Sequence, residues 1–474
     1  MADDDREPVR VETTRRTFLS ASAAGAAAAA VPLIRAGNTG EPMTAREIGA
    51  QLPDRELRRA LREIDANRIE AIINKLVSFG TRHTLSSQDD PVRGIGAARD
   101  WLYAEMQRLA APSGGRMSVE LQSFVQPAGP RIPTPTTITN VIATLRGDTD
   151  PGRIYVISGH YDSRVTDVLN GTSDAPGADD DGSGVATVLE LARVLATRHL
   201  KATVIFTLVA GEEQGLFGSA HQAQVLKAAG ADIQGMFSND IVGSSDGDDG
   251  SKDPHTVRLF TEGVPTSETT AQAAIRQAVG GEVDSNSRQL ARFVLEVAPP
   301  ATGMTVRMIY RRDRYLRGSD HISFLQQGYP AGRFTEPREN FAHQHQDTRV
   351  ENGVQFGDLP EFCDFDYIAR VAKVNLATMW SLAQGPGTPK NVGILTAVLT
   401  NTTTLRWDRA ADADIAGYEV VWRETTAPQW THAAAVGDVT TATINLSKDN
   451  LYFGVRAVDR AGHRSPVAFP VPVS

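Results

Sequence analysis

Two short segments carry the residue types needed to bind cations and move protons. The first is Gly159-His160-Tyr161-Asp162-Ser163-Arg164, an H-x-D pair directly after the apolar run Ile154-Tyr155-Val156-Ile157. The second is Gly177-Ala178-Asp179-Asp180-Asp181-Gly182-Ser183-Gly184. Glu212-Glu213, Asp240 and His321 follow downstream. Imidazole nitrogen and carboxylate oxygen are zinc donors, and a catalytic zinc keeps one position for water. Three consecutive aspartates repel one another unless a cation sits among them, and the flanking glycines let the backbone turn tightly there. Two His, a Glu and two Asp suffice for two zinc ions, which stand about 3.5–4 Å apart on a bridging carboxylate. One glutamate is then left to work on water. The donor types alone also admit manganese or cobalt. The acidic loop taken alone would suit calcium, but it lacks the EF-hand spacing. Chemistry by itself chooses neither the bridging member of the Asp triplet nor the division of roles within Glu212-Glu213.

The elements that must position these groups can be read from periodicity. Helical spacing runs through residues 44–64 and 66–79, where Ile69, Ile72, Ile73 and Leu76 recur at three- and four-residue steps until Gly80. Residues 95–110 form another helix with Trp101, Leu102, Met106 and Leu109 on one face. From Thr139 the period changes. Strands over 139–145, 153–158, 202–210 and 236–239 alternate with helices over 185–197 and 219–229, and residues 366–384 make a final helix. Strands alternating with helices predict an α/β fold, a mostly parallel central sheet flanked by helices. Sites in such sheets form beyond the carboxyl ends of strands. His160, Glu212-Glu213 and Asp240 each fall just after a predicted strand.

The segments GHYDS, GADDDGSG, GEEQGLFGS, ND and SDHISF, in this order over roughly residues 66–384, resemble the co-catalytic di-zinc aminopeptidase family. Secreted bacterial leucyl aminopeptidases, glutamate carboxypeptidases and glutaminyl cyclases share this zinc exopeptidase-like pattern. The resemblance implies two Zn2+ per chain, with Asp180 bridging, His160 and Asp240 completing one site, and Glu213 and His321 the other. It implies Glu212 as general base. Asp162 would fix the imidazole of His160 from behind. His343, in Asn340-Phe-Ala-His-Gln-His-Gln-Asp347, would donate to the oxyanion. One departure is Asp320, where some family members place a Tyr that polarises the carbonyl; His343 or Tyr310 would have to supply that role. Another is the basic stretch Arg311–Arg317, read as a solvated face or as a grip on a substrate carboxylate. The implied activity is removal of N-terminal residues from peptides. Alternatives are a carboxypeptidase or dipeptidase, a glutaminyl cyclase, or a binding protein on a dead peptidase fold.

The remaining sequence bounds these readings. The 474 residues exceed one ordinary domain, and 41% hydrophobic with 22% charged residues describes a globular chain with ample core. A net charge of −9 argues against non-specific nucleic-acid binding; a peptide or protein substrate is expected instead. The single Cys363 allows no internal disulfide and reads as a packed thiol. His83, His199, His255, His432 and His463 read as structural or surface residues. Thr14-Arg15-Arg16-Thr17-Phe18-Leu19 followed by an Ala-rich run reads as a twin-arginine-type signal over 1–36, too weakly apolar for a stable membrane span. Export to the periplasm or beyond is therefore expected. The peptidase unit spans 37–385 and a linker 386–392. Residues 393–474 form a small all-β sandwich resembling a fibronectin type III domain, on Trp407, Tyr418 and the run from Tyr452. It is read either as a spacer or as a surface- or polymer-binding unit.

Overall fold

The computed structural model describes residues 45–474, together with the backbone of 33–35 and 42–44. The signal read over residues 1–36 lies outside the described residues apart from the backbone of 33–35. The eight strands of the large sheet are β1 Met117–Gln126, β2 Thr136–Leu145, β3 Asp150–His160, β4 Ala202–Val209, β5 Asp232–Asn239, β6 Thr256–Phe260, β7 Thr305–Ile309 and β8 Ala331–Thr335. Their order across the sheet is β7-β6-β8-β5-β3-β4-β2-β1. The centre is parallel, with β5, β3 and β4 side by side and β8 parallel to β5. β2 and β1 extend it antiparallel, and β8 meets β6 antiparallel. β4 is buried at every position, which is why it reads as a continuous apolar run rather than an alternating one.

Ten helices, α1 Arg55–Leu61, α2 Ala66–Val77, α3 Ile95–Ala110, α4 Gly182–Ala196, α5 Glu212–Gly215, α6 Phe217–Ala228, α7 Thr270–Val279, α8 Asn286–Thr302, α9 His321–Gln326 and α10 Phe365–Gln384, accompany the sheet. The helix expected over 44–64 is shorter. Asp54 caps α1 by accepting from Leu57 N (2.7 Å), and the chain before Pro53 is extended, with Arg46–Glu47 pairing as a strand. The main core packs α2, α4 and α10 on the sheet through residues such as Ile73, Val188, Phe206 and Val374. No helix among the described residues is long and apolar enough to cross a membrane.

The C-terminal unit has two sheets around a separate core that includes Trp407, Tyr418, Val420 and Val455. Its strands are β9 Gly393–Leu395, β10 Thr403–Arg406, β11 Ile415–Glu424, β12 His432–Gly437, β13 Thr441–Ile444, β14 Leu451–Asp459 and β15 Val471–Val473. Residues 386–392, read as a linker, do not swing free. Pro386, Gly387 and Pro389 are buried, and Thr388 N donates to Gln234 Oε1 (3.2 Å). The unit docks on α8 through buried ions: Asp284 accepts from Arg292 (2.6 Å) and from Arg423 of β11 (2.7 Å). Trp430 Nε1 donates to Gln289 (2.9 Å).

Candidate metal centre

The site lies at the carboxyl ends of the parallel strands, the place such sheets reserve for it. His160 is the last residue of β3 and Asp240 directly follows β5. Asp180 belongs to the loop that enters α4. The first turn of α4 packs closely on the sheet: a Cβ on Gly184 would stand 2.2 Å from Asn239 O. Glu212 and Glu213 open α5, immediately after Gly211 turns β4 upward in left-handed backbone (φ 73). A Cβ on Gly211 would meet Ile138 Cδ1 at 2.8 Å, and the left-handed backbone itself favours glycine at this turn.

Two trios of donors result, His160–Asp180–Asp240 and Asp180–Glu213–His345. His160 Nε2 stands 3.1 Å from Asp180 Oδ1 and 4.0 Å from Asp240 Oδ1. His345 Nε2 stands 2.9 Å from Asp180 Oδ2 and 3.0 Å from Glu213 Oε1. Each Asp180 oxygen thus faces a different imidazole, the geometry of a bridging carboxylate. Glu213 Oε1 and Asp180 Oδ2 converge on the same imidazole nitrogen. Two trios of imidazole and carboxylate donors that share one carboxylate fit a zinc pair.

Four of the expected ligands, His160, Asp180, Glu213 and Asp240, come together. His321 does not. It is wholly buried at the start of α9, where Nε2 donates to Arg312 O (2.9 Å). His345 takes the place the resemblance had given to His321. It sits on an irregular loop in left-handed backbone (φ 53), without periodicity to announce it. The pair His343–His345 was its one signal, but the two lie in a turn, so their spacing alone does not say which imidazole faces the centre. His343 is the one turned aside, stacked on Phe362 with ring centroids 3.6 Å apart. Tyr310 is turned away as well, its hydroxyl donating to Pro428 O of the C-terminal unit (3.3 Å). Neither is placed as an oxyanion donor.

Asp162 lies beside His160, but its atoms divide the work. His160 Nδ1 pairs with the main-chain oxygen of Asp162 at 3.1 Å, while the carboxylate is 3.6 Å away. The carboxylate instead accepts from Glu212 N (3.3 Å), Glu213 N (3.2 Å) and Thr84 Oγ1 (3.0 Å). One residue therefore ties the β3 end to the turn that delivers both glutamates. Two arginines that no motif in the sequence marks brace the ligands. Arg333 donates to Asp240 Oδ1 (2.9 Å), and Arg164 Nε to Glu213 Oε2 (2.8 Å).

Electrostatics separates the carboxylates. Burial drives Glu212 well above the ordinary range, with Asp240, Glu213 and Asp320 reinforcing it against the pull of His160. Burial acts on Asp180 in the same sense but is overcome by His345 and His160, which hold it well below. Asp320, wholly buried, is pushed up to about 7, chiefly by desolvation. A protonatable glutamate beside a bridging carboxylate held ionised is a division of labour that suits acid–base hydrolysis.

A mixed sheet whose strand ends gather carboxylates and imidazoles in this way is the framework of a metal-dependent hydrolase. The model of "Peptidase family M28" matches residues 140–352, which includes every donor of both trios. A "Probable zinc metalloprotease" of Pyrenophora tritici-repentis is 57% identical over 429 residues, covering 90% of this chain and 89% of that protein. One of Pyricularia oryzae is 56% identical over 432 residues, 90% of this chain and 86% of its own. Among solved structures, the Legionella pneumophila LapA aminopeptidase superposes with a TM-score of 0.51 at 19% identity, over 71% of this chain and 75% of its own. The chain belongs to peptidase family M28 and is a zinc metallopeptidase of that family.

Proposed function

We propose that this chain is an exported exopeptidase that removes N-terminal residues from peptides at a two-zinc centre, with Glu212 as general base. The observation that carries the reading is Asp180, whose two oxygens face His160 and His345 respectively. His160, Asp180 and Asp240 would hold one ion, and Asp180, Glu213 and His345 the other. Bound zinc supplies Lewis acidity, acidifying water and polarising the scissile carbonyl. Glu212 takes the proton of the attacking water and passes it to the leaving amine. Asp162 holds Glu212 in place through the backbone of the turn. Export rests on the Arg15-Arg16 signal pattern.

The test is zinc content by mass spectrometry on purified protein, with hydrolysis of leucine p-nitroanilide and of its N-acetylated form. Two zincs per chain and cleavage of the free-amine substrate alone are expected. Glu212→Gln should keep both metals and lose about 10²–10⁴-fold in kcat. One zinc per chain, or no cleavage of the free-amine substrate, overturns the aminopeptidase reading in favour of a cyclase or a carboxypeptidase on the same scaffold.

A further inference from the structure

The loop from Tyr310 to Gly318, which the reaction above leaves unused, carries Arg311, Arg312, Arg314 and Arg317 in a chain of net charge −9. Arg333 pins this loop to the site. The same guanidinium that reaches Asp240 Oδ1 also donates to Asp313 Oδ1 (3.3 Å) and Gly318 O (3.4 Å). The loop is tied as well to the segment that delivers His345, through Glu339. That carboxylate takes Arg317 (2.7 Å), Arg314 (3.0 Å) and Arg258 (3.1 Å). Arg314 also reaches Asp313 (3.0 Å), so Arg317 and Arg258 are left to share the one carboxylate of Glu339. Of the three, Arg317 opens furthest to solvent, its side chain 33% exposed against 10% for Arg314 and 17% for Arg258. It also lies close enough to Asp180 and Asp240 to feel both charges. Beside it, Tyr315 and Leu316 project into solvent, and Leu316 holds a left-handed backbone (φ 55) rare for a branched residue. Phe341, near Glu339 in sequence, is exposed too.

We propose that Arg317 recognises the C-terminal carboxylate of a short peptide, so that the chain acts preferentially on di- and tripeptides with a free C-terminus. The proposal rests on the exopeptidase reading and names the substrate class for it. A guanidinium presents a planar fork that matches a carboxylate, and it stays charged at any working pH. An extended residue spans about 3.5 Å, so a carboxylate one or two residues past the scissile bond falls on the rim of the site rather than inside it. The exposed apolar residues beside Arg317 would cover the side chains between. The competing role for these arginines is to offset the site's own acidic charge, and that role does not distinguish an acid from an amide.

The experiment compares Leu-Gly-Gly with Leu-Gly-Gly amide on the full chain, as wild type, Arg317→Gln and Arg317→Lys. Wild type should favour the free acid by about 10–100-fold in KM, the worth of a charge-assisted hydrogen bond. Arg317→Gln should bring the acid to the amide's KM, and Arg317→Lys should keep part of the preference. Unchanged zinc content and melting temperature in each variant show that the site is intact. Equal KM for acid and amide in wild type, or a preference that survives Arg317→Gln, overturns the proposal. Failure of wild type to cut either peptide or leucine p-nitroanilide overturns the exopeptidase reading instead, which keeps the two apart.

Discussion

Asp180 is the residue on which the centre turns, because it alone belongs to both trios of donors. Its neighbours in the triplet have other work. Asp181 caps α4 by accepting from Gly184 N (3.0 Å) and also holds His160 N (2.8 Å), while Asp179 accepts from Gly243 N (2.6 Å). The run of three acids announced a cation site, but only the loop conformation sorts a ligand from a cap and a brace. The histidines divide in the same way. His345→Gln is expected to lower zinc content from two per chain to one. His321→Gln should keep both zincs and instead lower stability by about 1–3 kcal/mol, through loss of a buried hydrogen bond to Arg312 O. Metal analysis beside thermal melts of the two variants checks this. The reverse pattern would restore the role that the sequence motif gave to His321.

At the level of elements, the site is assembled by strand ends and the turns that leave them. β3, β4 and β5 lie parallel and adjacent, so His160, the Glu212-Glu213 pair and Asp240 arrive at one edge although 80 positions separate the first from the last. Much of this was legible: apolar runs bounded by Gly and acid locate buried strands, and a functional residue just past each run follows from the architecture. The far edge was not legible. β6, β7 and β8 are short, and β8 carries the buried polar residues Arg333 and Thr335, which blur the strand pattern. Gly211→Ala tests how tightly the β4 turn is specified. The left-handed backbone and the contact with Ile138 predict a loss of at least about 1 kcal/mol in stability. Activity should fall by a larger factor than stability alone explains, since both glutamates ride on that turn. Denaturant unfolding paired with kcat checks both parts.

Over the whole molecule, the C-terminal unit is more than a trailing appendage, for it shares buried charges with the peptidase. Asp284 is fully buried against Arg292 and Arg423. Arg423→Ala removes one partner of a buried ion cluster and is expected to cost about 3–5 kcal/mol, read as a lowered melting temperature of the entire chain. A second junction is sensitive to pH. His463 bonds Asp459 (3.0 Å) and stands 3.6 Å from Asp54, the cap of α1. Those carboxylates raise it from 6.5 to about 9. A group with a raised folded value stabilises fully below its unfolded value and loses that contribution as pH climbs through the folded one. Asp54, lowered to about 2, behaves oppositely and contributes fully above about pH 4. The junction should therefore be strongest between about pH 4 and 6.5 and weaken toward pH 9. Melting temperatures of wild type across this range should fall above pH 6.5, and His463→Gln should flatten that fall. An equal slope in both would remove His463 from the account.

What the sequence determined by itself was the chemistry and its framework. The donor types, their placement after apolar runs and the change to period-two strands near the C-terminus are local properties, and local properties are written in order along a chain. What only the tertiary structure decided was which donors meet. His321 and His345 are equally good ligands as residue types, and Asp179, Asp180 and Asp181 are the same residue three times. Whether each one faces the centre depends on backbone turns of a few residues and on packing partners from 19 to 93 positions away, such as Phe362, Asn239 and Arg333. Contacts of that kind carry no period and leave no pattern in a single sequence.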